Sequence, residues 1–280
     1  TLFSYGQSIV YDSWDAFFSY NSIKDIDKGN GVIYAASENA IFSYDPYANV
    51  IEKITTIEGL SGDYITTIKY SNNYNLLLIG YETGLLEVYD FSNKTVLKVL
   101  DILNKITIPP DNRRINHFYE RDNFIYIATN YGISIYDIQA LEFGDTYYIG
   151  FNGAQVQVEQ ITLTNNEIYA ATSTGLRKAN LNNPNLVDFQ FWETPFLGNF
   201  SDVISIDNSL FTVKSDNQVY RLNGSNLDPV INSSDQIIGI EADTNTNTFL
   251  VMTNVAVSHY QSDLVLINTY SASSDFNTNF

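Results

Sequence analysis

Short apolar stretches alternate with polar turns along the whole chain, and one arrangement of them recurs. In each occurrence, two short and mostly apolar strands flank a polar turn that ends in a small residue. Four occurrences are clear: VIYAASENAIFSYD (32–45), LLLIGYETGLLEVYD (76–90), FIYIATNYGISIYD (124–137) and EIYAATSTGLRKAN (167–180). Two weaker ones follow at 209–223 and 247–260. The pattern therefore predicts six β-hairpins of one kind.

The hairpins recur at a regular spacing. The residues that close the four clear turns are Ala40, Gly84, Gly132 and Gly175, at intervals of 44, 48 and 43 residues. A further short strand precedes each hairpin, and a longer, more exposed one follows it. Four antiparallel strands in a period of ~40–45 residues are typical of a β-propeller blade, so the fold class predicted is an all-β propeller with four-stranded antiparallel blades.

The turn residues carry a further prediction. A two-residue hairpin turn needs a positive φ at one or both turn positions, which glycine adopts freely and asparagine tolerates. Three of the clear hairpins have glycine there, and the fifth has Asn217. Ala40 and Val255 adopt that conformation less easily, so those two hairpins are predicted to use other turns.

The number of blades follows from counting units. Six complete units begin near Ile23, Ile65, Ile115, Val158, Val203 and Ile237. The segment SWDAFFSY (13–20) resembles a fourth strand without its own blade, and 264–271 supplies the fourth strand of the sixth unit. We therefore predict a seven-bladed ring, whose last blade combines the N-terminal strand with strands from beyond residue 280. A six-bladed ring closed within these residues is the alternative.

The domain organisation expected is a single propeller over 8–280. The preceding stretch, TLFSYGQ (1–7), has two interpretations. It fits the end of a secretory signal, with Ser4 and Gly6 at the −3 and −1 positions of a cut before Gln7. It equally fits a β-strand, because IFSY at 41–44 is nearly the same string.

Charge and composition exclude several classes of partner. The chain has 32 acidic against 14 basic residues, a net charge of −18, which repels phosphate backbones and argues against a nucleic-acid-binding surface. It contains no cysteine, so disulfides and thiolate metal sites are excluded. No apolar run approaches the roughly 20 residues of a membrane-spanning helix.

Candidate chemistry is sparse. The two histidines, His117 and His259, lie in strand patterns without a G-x-S-x-G motif, so they are interpreted as structural. The stretch DIDKGNG (25–31) has Gly29 and Asn30 where a calcium loop needs an acid or amide and then glycine, so a hairpin turn is predicted there. We expect no catalytic residues, no metal site and no cofactor.

Two sets of residues are candidates for binding a partner. The first set is the hairpin turns, which fold symmetry places around one axis: Glu38, Asn39, Glu82, Thr83, Asn130, Tyr131, Ser173 and Thr174. The second is the segment 141–155, interpreted as a long insertion that is rich in aromatic residues: Phe143, Tyr147, Tyr148 and Phe151. The alternative for the turns is that they are solvated and bind no partner.

Specific strings resemble known families. Gly59-Leu60-Ser61, followed by an isoleucine strand and the hairpin at 76–90, resembles the two-component-regulator propeller repeat. A set of strings in the first 180 residues is similar to the N-terminal propeller family of PorZ, an accessory protein of type IX secretion in Bacteroidetes. These strings include FFSYNSIKDI (17–26), IEGLSGDYITTI (57–68) and FGDTYYIGFNGA (143–154). The second half of the chain matches mainly by its spacing.

The resemblance implies a function. It implies the first domain of a larger exported protein at the outer-membrane surface, without enzymatic activity of its own. The implied partners are the C-terminal signal peptidase (the sortase) that attaches secreted cargo, and anionic lipopolysaccharide. The alternative is the oligosaccharide-sensing periplasmic propeller of a hybrid two-component system; the segments that follow residue 280 would distinguish the two.

Overall fold

The computed structural model describes residues 22–271, which form 24 β-strands in six four-stranded antiparallel sheets. Each sheet is a meander, in which four strands consecutive in sequence are also neighbours in space. The innermost strand of each sheet packs against the innermost strand of the next sheet in chain order. This confirms the predicted all-β propeller with four-stranded antiparallel blades.

The first three blades span the first half of the described chain. Blade 1 consists of β1 (Asp25–Gly29), β2 (Val32–Ala36), β3 (Ile41–Asp45) and β4 (Val50–Ile54). Blade 2 consists of β5 (Ile65–Ser71), β6 (Leu76–Tyr81), β7 (Leu86–Asp90) and β8 (Thr95–Val99). Blade 3 consists of β9 (Ile115–Arg121), β10 (Phe124–Thr129), β11 (Gly132–Asp137) and β12 (Glu142–Tyr147).

The second half has the same organisation. Blade 4 consists of β13 (Val158–Leu163), β14 (Glu167–Thr172), β15 (Gly175–Asn180) and β16 (Glu193–Leu197). Blade 5 consists of β17 (Phe200–Ile206), β18 (Ser209–Lys214), β19 (Gln218–Asn223) and β20 (Asn226–Asn232). Blade 6 consists of β21 (Ile237–Asp243), β22 (Thr248–Thr253), β23 (Ala256–Gln261) and β24 (Leu266–Ser271). Three short 3₁₀ turns lie between strands, and no helix in residues 22–271 is long and apolar enough to cross a membrane.

The number of blades differs from the prediction. The described residues form six blades and not seven, because six complete meanders take up all 24 of their strands. Blade 6 closes with its own fourth strand, β24, in the segment assigned to that position from the sequence. The strand predicted at 13–20 and both interpretations of 1–7 lie outside the described residues.

The hairpin turns confirm most of the predictions made for them. Gly84 and Gly132 have φ of 85° and 146°, and Asn217 has φ of 59°. Ala40 and Val255 are not among the residues with positive φ, so their hairpins do use other turns. Gly175 does not have a positive φ either. Glycine is required at this position for a steric reason, because a Cβ there would lie 2.6 Å from Cγ2 of Thr194.

A hydroxyl group closes four of these turns. The residue at or just after the end of the second strand donates its side-chain O–H to the carbonyl three residues later, as Thr129 does to Gly132 at 2.9 Å. Equivalent bonds are made by Ser37, Thr172 and Thr253. The bond fixes the turn locally, and it is also present in blades 1 and 6, where Ala40 and Val255 do not have a positive φ.

Five buried apolar clusters fill the spaces between successive blades, one cluster to each junction. Full burial of one such side chain contributes roughly 1.5–3 kcal/mol, so these clusters are the main source of stability of the ring. The smallest one joins blades 4 and 5 and consists of Tyr169, Ala171, Leu176, Phe200, Val203 and Leu210.

Side chains also join the blades close to the axis. The innermost strand of each blade has one edge without a neighbouring strand, so its N–H groups on that edge need other acceptors. The preceding blade supplies them: Asp25 Oδ2 accepts from the Ile68 N–H at 2.8 Å, and Gln160 Oε1 accepts from the Val203 N–H at 2.7 Å. We call this series of interblade bonds the inner ladder.

The inner ladder changes at the junction of blades 6 and 1. Gly239 of blade 6 is at the position equivalent to Gln160 of blade 4, and glycine has no side chain that could accept a hydrogen bond from blade 1. The Ile26 N–H of blade 1 instead bonds to the Asp25 carboxylate of its own strand at 2.8 Å. Within residues 22–271, none of the buried clusters joins blade 6 to blade 1. The described ring is therefore packed continuously only from blade 1 to blade 6.

Candidate binding surfaces of the ring

A cavity of about 220 Å³ lies on the axis of the propeller, between the innermost strands of all six blades. Its charged lining residues are the acids Asp25, Asp27, Glu120 and Glu241 and the single base Lys69. The Lys69 ammonium lies 3.2 Å from an Asp27 carboxylate oxygen. The remaining carboxylates have no basic partner of this kind among the described residues, so the cavity is strongly acidic.

The protein environment favours protonation of the axial acids. Burial raises the pKa of Asp25 to about 6, although bonds from the Ile68 N–H and the Thr67 hydroxyl oppose the shift. Burial raises the pKa of Glu241 to about 7, against the attraction of Lys69. Carboxyl groups that share a low-dielectric cavity cannot all ionise at ordinary cost, so part of the axial charge is lost near neutral pH.

The two histidines have structural positions. His117 lies in β9, and its Nδ1 accepts from the Ile161 N–H at 3.5 Å as one step of the inner ladder. Burial and the neighbouring Lys69 lower the pKa of His117 to about 3, so the ring stays neutral and serves as an acceptor. His259 lies in β23, paired with Leu250.

No group of three or more acidic or histidine side chains in the described part of the chain is arranged to hold a metal ion. The segment 25–31 forms β1 and a tight turn, in which Asn30 and Gly31 have φ of 51° and 79°. This confirms the hairpin turn predicted at that segment.

The turns between the second and third strands of all blades lie at one end of the ring, which we call the upper end. Their exposed residues are Glu38, Glu82, Thr83, Ser173 and Thr174, whereas Asn39 and Asn130 are half-buried. Glu38 pairs with Lys24 at 3.5 Å, and Glu82 pairs with Arg114 at 3.4 Å. The structure thus brings these predicted residues to one end, as expected from the fold symmetry.

Tyr131 does not belong to that surface. Its side chain is fully buried, and its hydroxyl bonds to Ser134 Oγ at 2.7 Å. Its ring lies 6.1 Å from that of Tyr148, and the Lys105 ammonium lies over both rings at 5.5 and 5.8 Å. Tyr131 is therefore part of the core between blades 2 and 3, and its ring is not open to a ligand.

The segment 141–155 is not one long insertion. Its first half is β12, the fourth strand of blade 3, and only the remainder is a connection to blade 4. Phe143 packs against Tyr136 at 5.2 Å, and Tyr147 is buried against Trp192 at 6.1 Å. Phe151 is 81% exposed, so it is the residue of this aromatic set that a partner at the upper end can reach.

The structure contains a further surface that sequence reasoning missed. A cleft follows the junction of blades 4 and 5, where two adjoining cavities of about 620 and 670 Å³ share Pro195 and Ser225. Lys178 lies in it between Glu167 at 2.9 Å and Glu193 at 3.6 Å. The cleft lies beside the smallest of the five interblade cores, and no local sequence signal reports it.

Comparison with solved structures agrees with the fold. The structure of PorZ from Porphyromonas gingivalis, described as an essential bacterial surface component of the type IX secretion system, is similar with a TM-score of 0.72 at 15% identity. The match covers 89% of this chain and 33% of that one, so the chain spans about a third of that PorZ. The U3-55K structure is similar with a TM-score of 0.70 at 11% identity, covering 91% of this chain and 83% of that one. At these identities the similarities establish the propeller fold alone.

Sequence comparison identifies the family. No curated protein matches the sequence significantly. The family model described as "TSS9, PorZ, N-terminal beta-propeller domain" matches residues 33–193, which is more than half of the chain; the match covers blades 2 and 3, blade 1 without its first strand, and the first three strands of blade 4. The chain therefore belongs to the family of PorZ N-terminal β-propeller domains.

Proposed function

We propose that this propeller is a non-enzymatic scaffold of the type IX secretion system at the outer-membrane surface. In this role it is the first domain of a longer exported protein and supports the sortase that attaches secreted cargo to anionic lipopolysaccharide. The observation that carries the proposal is the family match over residues 33–193. The fold shared with PorZ of P. gingivalis, a surface component of that system, is consistent with it.

The construction of the ring supports a scaffold role. Successive blades are joined twice, by a buried apolar cluster and by inner-ladder bonds such as that from the Val203 N–H to Gln160. These joints hold the exposed upper-end residues in fixed relative positions, so little ordering is needed when a partner binds. We propose that the partner contacts the exposed turns and Phe151.

The proposal is tested by recovering the tagged protein from mildly solubilised envelopes of its native bacterium. We expect the surface sortase and anionic lipopolysaccharide to copurify with it. Recovery of the protein alone, or attached to an inner-membrane kinase as the sensor alternative requires, would contradict the proposal.

A matched pair of variants locates the contact. Phe151→Ala removes an exposed aromatic side chain at the upper end, and Tyr47→Ala removes one that is 93% exposed in a turn at the opposite end. We expect Phe151→Ala to lower the yield of sortase and Tyr47→Ala to leave it unchanged, because exposed aromatic residues often dominate an interface. Equal yields from both variants would exclude Phe151 from the contact.

A further inference from the structure

Arg177 is a buried base at the upper end of blade 4. It lies on β15 opposite Ala170 of β14, so its side chain is on the face that packs against blade 3. The residue is only 7% exposed. One terminal guanidinium nitrogen donates to Thr194 Oγ1 at 2.9 Å and the other donates to Thr174 Oγ1 at 3.2 Å. Its buried Nε has no hydrogen-bond partner.

The guanidinium has no opposite charge beside it. Within residues 22–271, Arg177 forms no salt bridge with an aspartate or glutamate. Burial lowers the pKa of Arg177, but arginine does not lose its proton in proteins, so the charge remains. A buried charge without a counter-charge is unfavourable, and structures normally pair it.

The equivalent position in blade 2 shows how this protein compensates a buried charge elsewhere. Glu87 is paired with Ile79 as Arg177 is paired with Ala170, and it is fully buried. Its carboxylate accepts from the Ser61 N–H at 3.0 Å and from the Tyr81 hydroxyl, and Lys98 lies 3.4 Å away. In blade 2 the fourth-strand neighbour of the buried charge is thus a lysine of opposite sign.

Blade 4 places a neutral residue there. The fourth-strand neighbour of Arg177 is Thr194, which offers a hydroxyl and no charge. Blade 3 has the neutral Ser134 at the same position, so no compensation is needed in that blade. Among the residues at this position in blades 2, 3 and 4, Arg177 is therefore the one that is charged and has no residue of opposite charge beside it.

The surroundings of Arg177 favour an anion with several acceptor oxygens. Thr174 and Thr194 accept from the guanidinium. The Thr194 hydroxyl keeps its own proton to donate, whereas the Thr174 hydroxyl lies 3.4 Å from Thr172 Oγ1, whose own proton is bonded to the Gly175 carbonyl. The guanidinium retains one further N–H on each terminal nitrogen, whereas its remaining donor, the Nε–H, is fully buried. Thr174 lies in the exposed turn between β14 and β15, which gives access from the upper end. Phosphate groups provide three acceptor oxygens and up to two negative charges, which suits this donor set better than a carboxylate.

We propose that Arg177, Thr174 and Thr194 form a binding site for a phosphate group. The site does not depend on the proposed function, since it rests on the uncompensated guanidinium and its two threonine partners. The net charge of −18 makes nonspecific anion binding weak over the rest of the surface, so a specific site is measurable.

The test is calorimetric titration of the purified protein with inorganic phosphate, against sodium chloride at equal ionic strength. We expect saturable binding that weakens about tenfold or more in Arg177→Met, which keeps the length of the side chain but none of its donors. Arg221→Met is the control, because Arg221 is an exposed arginine of blade 5 that bonds to Ser209 Oγ at 2.9 Å.

A second variant keeps the test decisive if Arg177→Met does not fold. Thr174→Val removes one hydroxyl from an exposed turn and leaves the arginine in place, and it too should weaken phosphate binding. The proposal is overturned if wild-type protein shows no saturable phosphate binding, or if both variants bind as tightly as wild type.

Binding experiments with two further probes identify the source of the phosphate. Binding of glucose 6-phosphate but not glucose, lost in the same variants, would indicate a phosphorylated glycan. Binding to phosphatidylglycerol but not phosphatidylcholine vesicles, again lost in the variants, would indicate a lipid headgroup. Binding of inorganic phosphate without either of the other two probes would indicate a free anion.

Discussion

Individual residues on the axis determine how the ring responds to pH. Glu241 lies in the axial cavity, where protein surrounds its carboxylate, and burial raises its pKa to about 7. An acid with a raised folded-state pKa binds its proton more tightly in the folded state. Its contribution to stability is therefore fully present below the unfolded-state pKa and is lost as pH rises through the folded-state pKa.

The first prediction concerns this pH dependence. The midpoint of thermal unfolding should fall as pH rises from about 4.5, the ordinary pKa of Glu241, to about 7. Glu241→Gln removes the titrating group, so the fall should be smaller in that variant. The measurement is the unfolding midpoint across this range at constant ionic strength. An identical slope in wild type and Glu241→Gln would show that Glu241 does not titrate in this way.

The second prediction concerns turn glycines. Gly84 has φ of 85°, and a Cβ there would lie 2.8 Å from both Arg113 Cβ and Ile102 Cγ2. Gly224 has φ of 58°, and a Cβ there would meet no neighbouring atom within 4 Å. Gly224→Ala should lower the free energy of unfolding by roughly 1–2 kcal/mol, because alanine is strained in the left-handed conformation. Gly84→Ala should lower it by about 1–3 kcal/mol more, because the added methyl group also overpacks the turn.

Urea unfolding of both glycine variants checks the second prediction. The midpoint should fall further for Gly84→Ala than for Gly224→Ala. Equal losses would mean that the packing around the blade 2 turn relaxes freely.

At this scale the sequence predicted backbone conformation better than side-chain exposure. The positive φ of Gly84 and Asn217 was predicted from residue type and turn position, whereas Gly175, at the equivalent position, does not adopt it. The burial of Tyr131 could not, because it depends on Tyr148 and Lys105, which come from other strands and connections.

Among the elements, the innermost strands carry the bonds that join the blades. Each innermost strand has one edge without a neighbouring strand. Polar side chains occur at that edge, although most strand positions of the core are apolar. The polar residues Asp25, Gln160 and Asp202 each accept a backbone N–H of the next blade. These side chains therefore act as links between sheets, which explains their position near the axis.

The third prediction tests this link. Gln160→Ala leaves the buried Val203 N–H without an acceptor, which should lower the free energy of unfolding by about 1–3 kcal/mol. Gln139→Ala is the control, because Gln139 is exposed in a turn of blade 3. The Val203 amide should also exchange its hydrogen faster in Gln160→Ala. Unchanged exchange at Val203 would mean that the inner-ladder bond does not protect it.

The sequence predicted the type and order of the elements well, because apolar strands and turn residues repeat in each unit. It failed where a fourth strand carries little pattern. The segment 141–155 was interpreted as an insertion because of its length and its aromatic residues, although its first half is strand β12, whose backbone pairs with β11. Glu142, Gly144 and Asp145 interrupt the apolar pattern that marks the other strands.

For the whole molecule, repetition gave the propeller but not the number of blades. Counting six complete units was correct for the described residues, whereas the step to seven relied on 13–20, which lies outside them. The cleft between blades 4 and 5 depends on contacts between two blades, which a single unit does not show. Arg177 lacks a counter-charge because its fourth-strand neighbour is Thr194, and the repeat does not give this pairing, since the register of that strand shifts beside Arg177.

The central claim is that this propeller supports the attachment of type IX cargo at the cell surface. It is tested most directly by an in-frame deletion of residues 22–271 in the native bacterium, with the remaining protein checked by immunoblot and the intact gene supplied as control. The measurement is the fraction of type IX cargo that stays attached to the cell surface. We expect the cargo to be released unattached into the medium, and attachment to return with the intact gene. Surface attachment at the wild-type level in the deletion strain would contradict the claim.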